Sequence, residues 1–206
     1  MLCFLDKSWV KKLQSIFLKD FNRVSGMTEL RKTQTCHALE QAEQARTGKT
    51  RALFGYWQRL QAVGKPTRGS LDPLEMRPYL ANLLTGNVEA APFRVLYKLV
   101  GTTVAEYSQS DFSNRYLDEL DYSGRDDVDW EACYRMLHTT RRPVFGECSL
   151  RGAAGRVIAS YEYAILPLWR GDDPAGSFVA IEVYDGIASH RIPDWTKVTL
   201  KNDGAR

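Results

Sequence analysis

The sequence predicts an α+β fold: a five-stranded antiparallel sheet with helices on one face, preceded by an N-terminal helical extension. Three observations predict it. Alternating apolar runs at 84–89, 93–100, 144–150, 157–166 and 177–184 have strand periodicity. Glycine- and proline-bearing connections, Ala90-Ala-Pro92, Gly152-Ala-Ala-Gly155 and Gly171 to Gly176, join neighbouring runs as hairpins. Helical spacing falls between the second and third runs, over 102–120 and 128–139, and again at the N-terminus.

Taken in order, Trp9, Leu13, Ile16, Phe17, Phe21 and Val24 line one side of a helix over 7–24, which Ser25-Gly26 ends. A second, more polar helix is expected from Thr28 to Arg46, with a thin stripe that includes Leu30 and Leu39. Residues 1–51 thus read as an extension for dimerisation or docking, with Trp9, Leu13, Phe17 and Phe21 as its contact residues. Thr47-Gly-Lys-Thr50 separates it from a helix over 52–62 bearing Leu53, Phe54, Tyr56, Trp57 and Leu60, and Gly64-Lys-Pro66 stops that helix. Asp72-Pro73 is a helix start, the carboxylate capping amides and the proline pre-set for the first turn.

Phe93, Val95, Tyr97 and Leu99 share one face of the second strand, whose other face carries Arg94 and Lys98 but also Leu96 and Val100. Gly101 ends that strand at a turn, and Thr102 is expected to cap the next helix through its hydroxyl. Asp126, Asp127 and Asp129 are expected at the N-terminus of the helix reaching Thr139, where carboxylates meet exposed amides. The main domain spans 52–185, and 186–206 is a tail.

Composition narrows the function classes. Hydrophobic residues make up 44% of the 206, enough for a core, and no apolar run approaches membrane-spanning length. The first residues meet charge too early for a secretory leader, and four cysteines without a redox pair make a reducing cytoplasm the expected location. Cys3, Cys36, Cys133 and Cys148 are too far apart for a CxxC metal clamp or redox pair, so no metal is assigned. Ten of the 28 Lys/Arg lie in residues 1–51 against five acidic residues, yet no dense basic run or motif points to nucleic acid.

Catalytic motifs fare poorly. Gly48-Lys-Thr50 has the tail of a phosphate-binding loop, but Glu43 stands where its first glycine belongs. The carboxylates of 121–131 lack the calcium-loop register. His37, His138 and His190 fall in separate elements, with no partner to make any of them a general base. The expectation is a protein without catalytic residues and without a cofactor.

Tyr56-Trp57, Asp72-Pro73, Phe93-Arg94, Tyr97 to Thr102, Asp111, Arg115, Leu117 to Leu120, Pro143 and Ile165-Leu166-Pro167-Leu168 carry a further likeness. Over 52–184 the chain resembles the alphaproteobacterial PAS_5 group of PAS domains, small signalling and regulatory proteins. It departs from the group at Asn114, where glycine is favoured, and at Trp169-Arg170, where small polar residues are usual. Asparagine tolerates left-handed backbone, so the first turn is expected to survive.

The resemblance implies a five-stranded antiparallel sheet that either encloses a ligand cavity or serves protein contact. Phe93, Tyr97, Tyr116, Phe145, Tyr161, Tyr163, Phe178 and Tyr184 are the candidate cavity residues, with His138 on the bordering helix. The same aromatic alternation also suits a filled core. The function expected is a non-enzymatic, cytoplasmic signalling adaptor, self-associating or bound to a signalling protein. The alternative is a sensor of a small hydrophobic or aromatic ligand.

Overall fold

A computed structural model describes residues 31–122, 126–127, 129–151, 155–184 and 196–201. The expected helix over 7–24, with Trp9, Leu13, Phe17 and Phe21, lies outside them, as do His190 and Gly152 to Ala154. The strands are β1 (Arg31–Gln34), β2 (His37–Ala38), β3 (Leu83–Ala90), β4 (Phe93–Val100), β5 (Leu120–Asp121), β6 (Asp126–Asp127), β7 (Val144–Arg151), β8 (Val157–Arg170), β9 (Asp173–Val183) and β10 (Thr199–Leu200). The helices are α1 (Gly48–Val63), α2 (Pro73–Met76), α3 (Thr102–Ser108) and α4 (Trp130–Thr140).

The five expected strands are β3, β4, β7, β8 and β9, and they lie together in the order β4-β3-β9-β8-β7 with every pairing antiparallel. The sheet is larger than expected, with eight strands. β1 extends it antiparallel to β7, β6 adds to β1 in parallel, and β2 also pairs with β7. The polar stretch expected to be a helix up to Arg46 therefore forms strands over 31–34 and 37–38. Its weak apolar stripe could not hold a helix, while β7 offered an open edge of backbone donors and acceptors.

Helices cover both faces of this sheet, where only one covered face was expected. On one side, Trp130, Cys133, Tyr134 and Leu137 of α4 and Val104 and Tyr107 of α3 bury against Tyr97, Tyr161, Tyr163, Ile165 and Phe178. On the other, Leu53, Phe54 and Trp57 of α1 pack on Leu83, Ala164, Leu166, Leu168, Val179 and Ile181. Alternate residues of β8 and β9 supply the two clusters, and residues 161–168 are all buried. Such a near-continuous run is the mark of a strand covered on both sides.

α1 begins four residues before the expected start. Thr47 is its N-cap and accepts the Thr50 amide at 3.3 Å. Trp57 fixes the helix over the sheet by donating its indole N–H to the Pro167 carbonyl at 2.8 Å. Asp72 caps α2 as expected, accepting from the Leu74 amide at 2.8 Å with Pro73 in the first turn.

Three other expectations are corrected. Gly101, not Thr102, holds the cap position of α3, and no side chain caps it. The Gly101 backbone is extended; the glycine is needed because a Cβ there would strike the Ala81 carbonyl. Asp126 and Asp127 form β6, leaving Asp129 to cap α4 by accepting from the Ala132 amide at 2.9 Å. The β8–β9 turn is shorter than expected, with β9 resuming at Asp173 after Gly171 at φ 62°. Asn114 does adopt the left-handed region, at φ 60°. Trp169 packs locally, with the Lys65 ammonium 4.1 Å from its ring centre.

Candidate functional site

The α3–α4 side of the sheet gathers most of the candidate cavity residues. Tyr97 from β4, Tyr161 and Tyr163 from β8, Phe178 from β9 and Tyr184 just beyond it are buried in one cluster. Tyr97 meets Phe112, Tyr134 and Phe178 edge-on, with centroids 5.0, 6.0 and 6.0 Å away. Tyr184 stacks on Tyr107 at 4.2 Å and leans on Tyr161 at 4.6 Å.

The other candidates lie elsewhere. Phe93 packs at the edge of the cluster beneath the Arg135 guanidinium, 4.1 Å from its ring centre, with His138 6.2 Å away. Tyr116 stands outside β4, donating to Glu89 at 3.2 Å under the Arg94 guanidinium. Phe145 packs against the opposite cluster and sits 6.0 Å from His37.

Within the aromatic cluster a narrow cavity of about 20 Å³ is bounded by Lys32, Tyr97, Tyr122, Tyr161, Glu182 and Tyr184, among others. That is room for one water-sized molecule. Its amine and its carboxyl come from elements far apart in sequence. Lys32 reaches in from β1, 6% exposed, and donates to the Tyr122 carbonyl at 3.5 Å. Glu182 comes from β9 and accepts from the Tyr184 hydroxyl. Tyr97 and Tyr122 share a hydroxyl contact of 3.3 Å above them.

Burial dominates the electrostatics here. It raises the Glu182 carboxyl to about 7, against the opposing pull of the Tyr184 hydrogen bond and the Lys32 charge. Burial also lowers Lys32, although Cys148 and Glu182 partly restore it. Tyr97, Tyr122, Tyr161 and Tyr184 are all pushed up by desolvation, so each keeps its proton as a donor. The cluster can exchange one proton near neutrality and hydrogen-bond a small polar guest.

Sequence reasoning missed Lys32, Tyr122 and Glu182. Lys32 falls in the polar stretch whose sequence predicts a helix, and Glu182 interrupts the apolar run of β9, an interruption that is the available signal. Among the described residues no group of three or more His, Cys, Asp or Glu converges on a common point, and no helix is long and apolar enough to cross a membrane. No protein-family model matches the chain, and no curated protein is significantly similar to it.

Proposed function

We propose that the chain is a PAS-like regulatory domain, an adaptor that acts through protein–protein contact without catalysis of its own. The observation that carries this is the filled aromatic core: the space left among Tyr97, Tyr161 and Tyr184 is only about 20 Å³. A sizeable ligand would have to displace the packed rings there or lodge instead in the cleft of about 200 Å³ beside Phe93, Val95, Leu120, Tyr122 and Trp130, whereas a rigid sheet braced by helices on both faces suits a docking scaffold. The five consecutive antiparallel strands, with α3 and α4 between β4 and β7, agree with the likeness to PAS domains. In this reading the Trp9, Leu13, Phe17 and Phe21 stripe mediates self-association, and the protein works in the cytoplasm. Equilibrium sedimentation of the full chain against a Trp9→Ser/Phe17→Ser variant tests it. The full chain is expected to dimerise and the variant to be monomeric; unchanged association in the variant removes the stripe from the mechanism.

A second reading, a sensor of a small aromatic ligand, is favoured by the tyrosine lining of the cavity. Native mass spectrometry and an absorbance spectrum of freshly purified protein separate the two. A retained organic mass would replace the adaptor reading with the sensor.

A further inference from the structure

Two rings separate a buried amine from an open cleft. Tyr122 and Trp130, with centroids 6.2 Å apart, border both the narrow cavity of about 20 Å³ and the larger cleft of about 200 Å³ beside it. Phe93, Val95, Leu117 and Leu120 give that cleft apolar walls. Most charges at its rim are matched: Arg94 holds Asp118 at 2.9 Å, Arg135 holds Glu131 at 2.7 Å, and Asp129 accepts from the Ala132 amide. Inside the partition the balance differs. Lys32 is 6% exposed, and its three N–H donors meet one acceptor among the described residues, the Tyr122 carbonyl at 3.5 Å. That distance is long for a hydrogen bond, so a buried ammonium faces a cavity without a good partner.

We propose that cleft and cavity together bind a small monocarboxylic acid with an apolar body, its carboxylate on Lys32 and its body against Phe93, Val95 and Leu120. This ligand class belongs to the sensor reading and rests on it. An anionic oxygen brought to the Lys32 ammonium supplies the acceptor that the buried group lacks, as a short charge-assisted bond. The inner space admits a group the size of one water, which a single carboxylate oxygen fills. The body stays in the cleft, whose volume suits a phenyl ring or a short branched chain. A turn of the Tyr122 ring joins the two spaces. The Tyr97 and Tyr122 hydroxyls, 3.3 Å apart on the cavity wall, offer the same head group a neutral donor.

Other head groups fit less well. A phosphate or sulfate brings more oxygens than the cavity has room for. An ammonium would meet Lys32 at close range. Glu182 shares the cavity and would repel a carboxylate if it were charged, but burial favours its neutral form and the Tyr184 hydroxyl already donates to it. Its proton comes from solvent, and no covalent bond to the guest forms or breaks. The rim offers one competing cation, Lys201, which would hold the head outward instead of inward. Arg94 does not compete, because Asp118 occupies both faces of its fork at 2.9 and 3.0 Å.

Titration of isotope-labelled full-length protein with hydrocinnamate, followed by NMR at the Trp130 indole N–H and the Val95 amide, tests the site. One saturable site is expected, with Kd of about 1 mM or tighter. Hydrocinnamamide, the same body without the charge, should bind at least about 10-fold more weakly, and phenylpropylamine should leave both signals in place. Lys32→Met should reduce hydrocinnamate to the affinity of the amide, while Glu182→Gln, which removes the competing charge, should bind it at least as tightly as the wild type. Should Lys32→Met fail to fold, the acid and amide compared on the wild type answer the same question. No saturation by hydrocinnamate, equal affinity for acid and amide, or saturation by the amine overturns the proposal. So does full affinity in folded Lys32→Met or lost affinity in folded Glu182→Gln. A loss in Lys201→Met as large as that in Lys32→Met would put the head at the rim and overturn it too. A neutral or cationic organic mass retained by the purified protein would leave the sensor reading standing and overturn this ligand class alone.

Discussion

Glu162 on β8 and Glu182 on β9 lie one register step apart on opposite faces of the sheet, and their carboxyls are driven in opposite directions. The ladder pairs Glu162 with Val183 and Tyr163 with Glu182. Glu182 faces the tyrosine cavity, where burial raises it to about 7. Glu162 faces the start of α1 and is only 4% exposed. Burial would raise it too, but hydrogen bonds from Thr50, the Arg46 amide and Thr47 outweigh that and hold it below the ordinary carboxylate range. The Arg46 amide donates at 2.5 Å, the Thr47 amide at 3.0 Å and the Thr47 hydroxyl at 2.8 Å. One strand pair thus carries a carboxylate kept charged and a carboxyl kept close to neutral.

Glu162 ties the entry of α1 to the sheet. Glu162→Gln replaces an acceptor-only group with an amide whose NH2 faces donors, so a loss of about 1–3 kcal/mol is expected in urea unfolding at pH 7. Because the folded-state value is depressed, the stabilisation is full above the ordinary carboxylate range and is lost as pH falls through the folded value. Below that value the variant and the wild type should converge.

Glu182 has the reverse sign. Its folded value lies above the ordinary 4.5, so its contribution is full below about 4.5 and is lost as pH rises to about 7. The gap corresponds to a loss on the order of a few kcal/mol. Glu182→Gln mimics the protonated state and should flatten that part of the profile, leaving the variant more stable than wild type above neutrality. Denaturant midpoints collected from pH 4 to 8 in roughly half-unit steps measure it. A wild-type profile with the same slope as the variant in that window refutes the assignment.

Lys32 holds Glu182 down by its charge, so the pair is coupled across the cavity. Lys32→Met keeps an unbranched side chain at the site and removes the charge. The Glu182 carboxyl should then titrate higher than in the wild type, read directly as a shifted midpoint in carbon-detected NMR of the side-chain carboxyl. An unchanged midpoint would mean that the ammonium does not reach the cavity.

Gly146 marks where the N-terminal strands press on the sheet. A Cβ there would collide with the Thr35 carbonyl and stand 2.7 Å from the Tyr163 hydroxyl. Gly146→Ala is expected to cost about 1–3 kcal/mol, with most of the disturbance in the β1–β2 connection. Hydrogen exchange should show lost protection at the Thr35 amide, which donates to Glu147, and at the Leu39 amide, which donates to Pro143. Unaltered protection at both would place the strain elsewhere.

Local sequence carries the five long strands, the Asp72-Pro73 helix start, the left-handed turn at Asn114 and the aromatic side of the core. Each is written in local terms: a period of two, a capping residue, a backbone preference, an alternating run of rings. The strands over 31–34 and 37–38 arise from long-range pairing, because their stability comes from β7, more than a hundred residues away. Long-range packing likewise sets α1 over a second face of the sheet, and it makes Lys32 and Glu182 line one cavity while Cys36 meets Met136. Burial and proximity set the charge of the ionisable groups among them. Neither is encoded in the residues beside them, since both depend on which distant elements the sheet brings together.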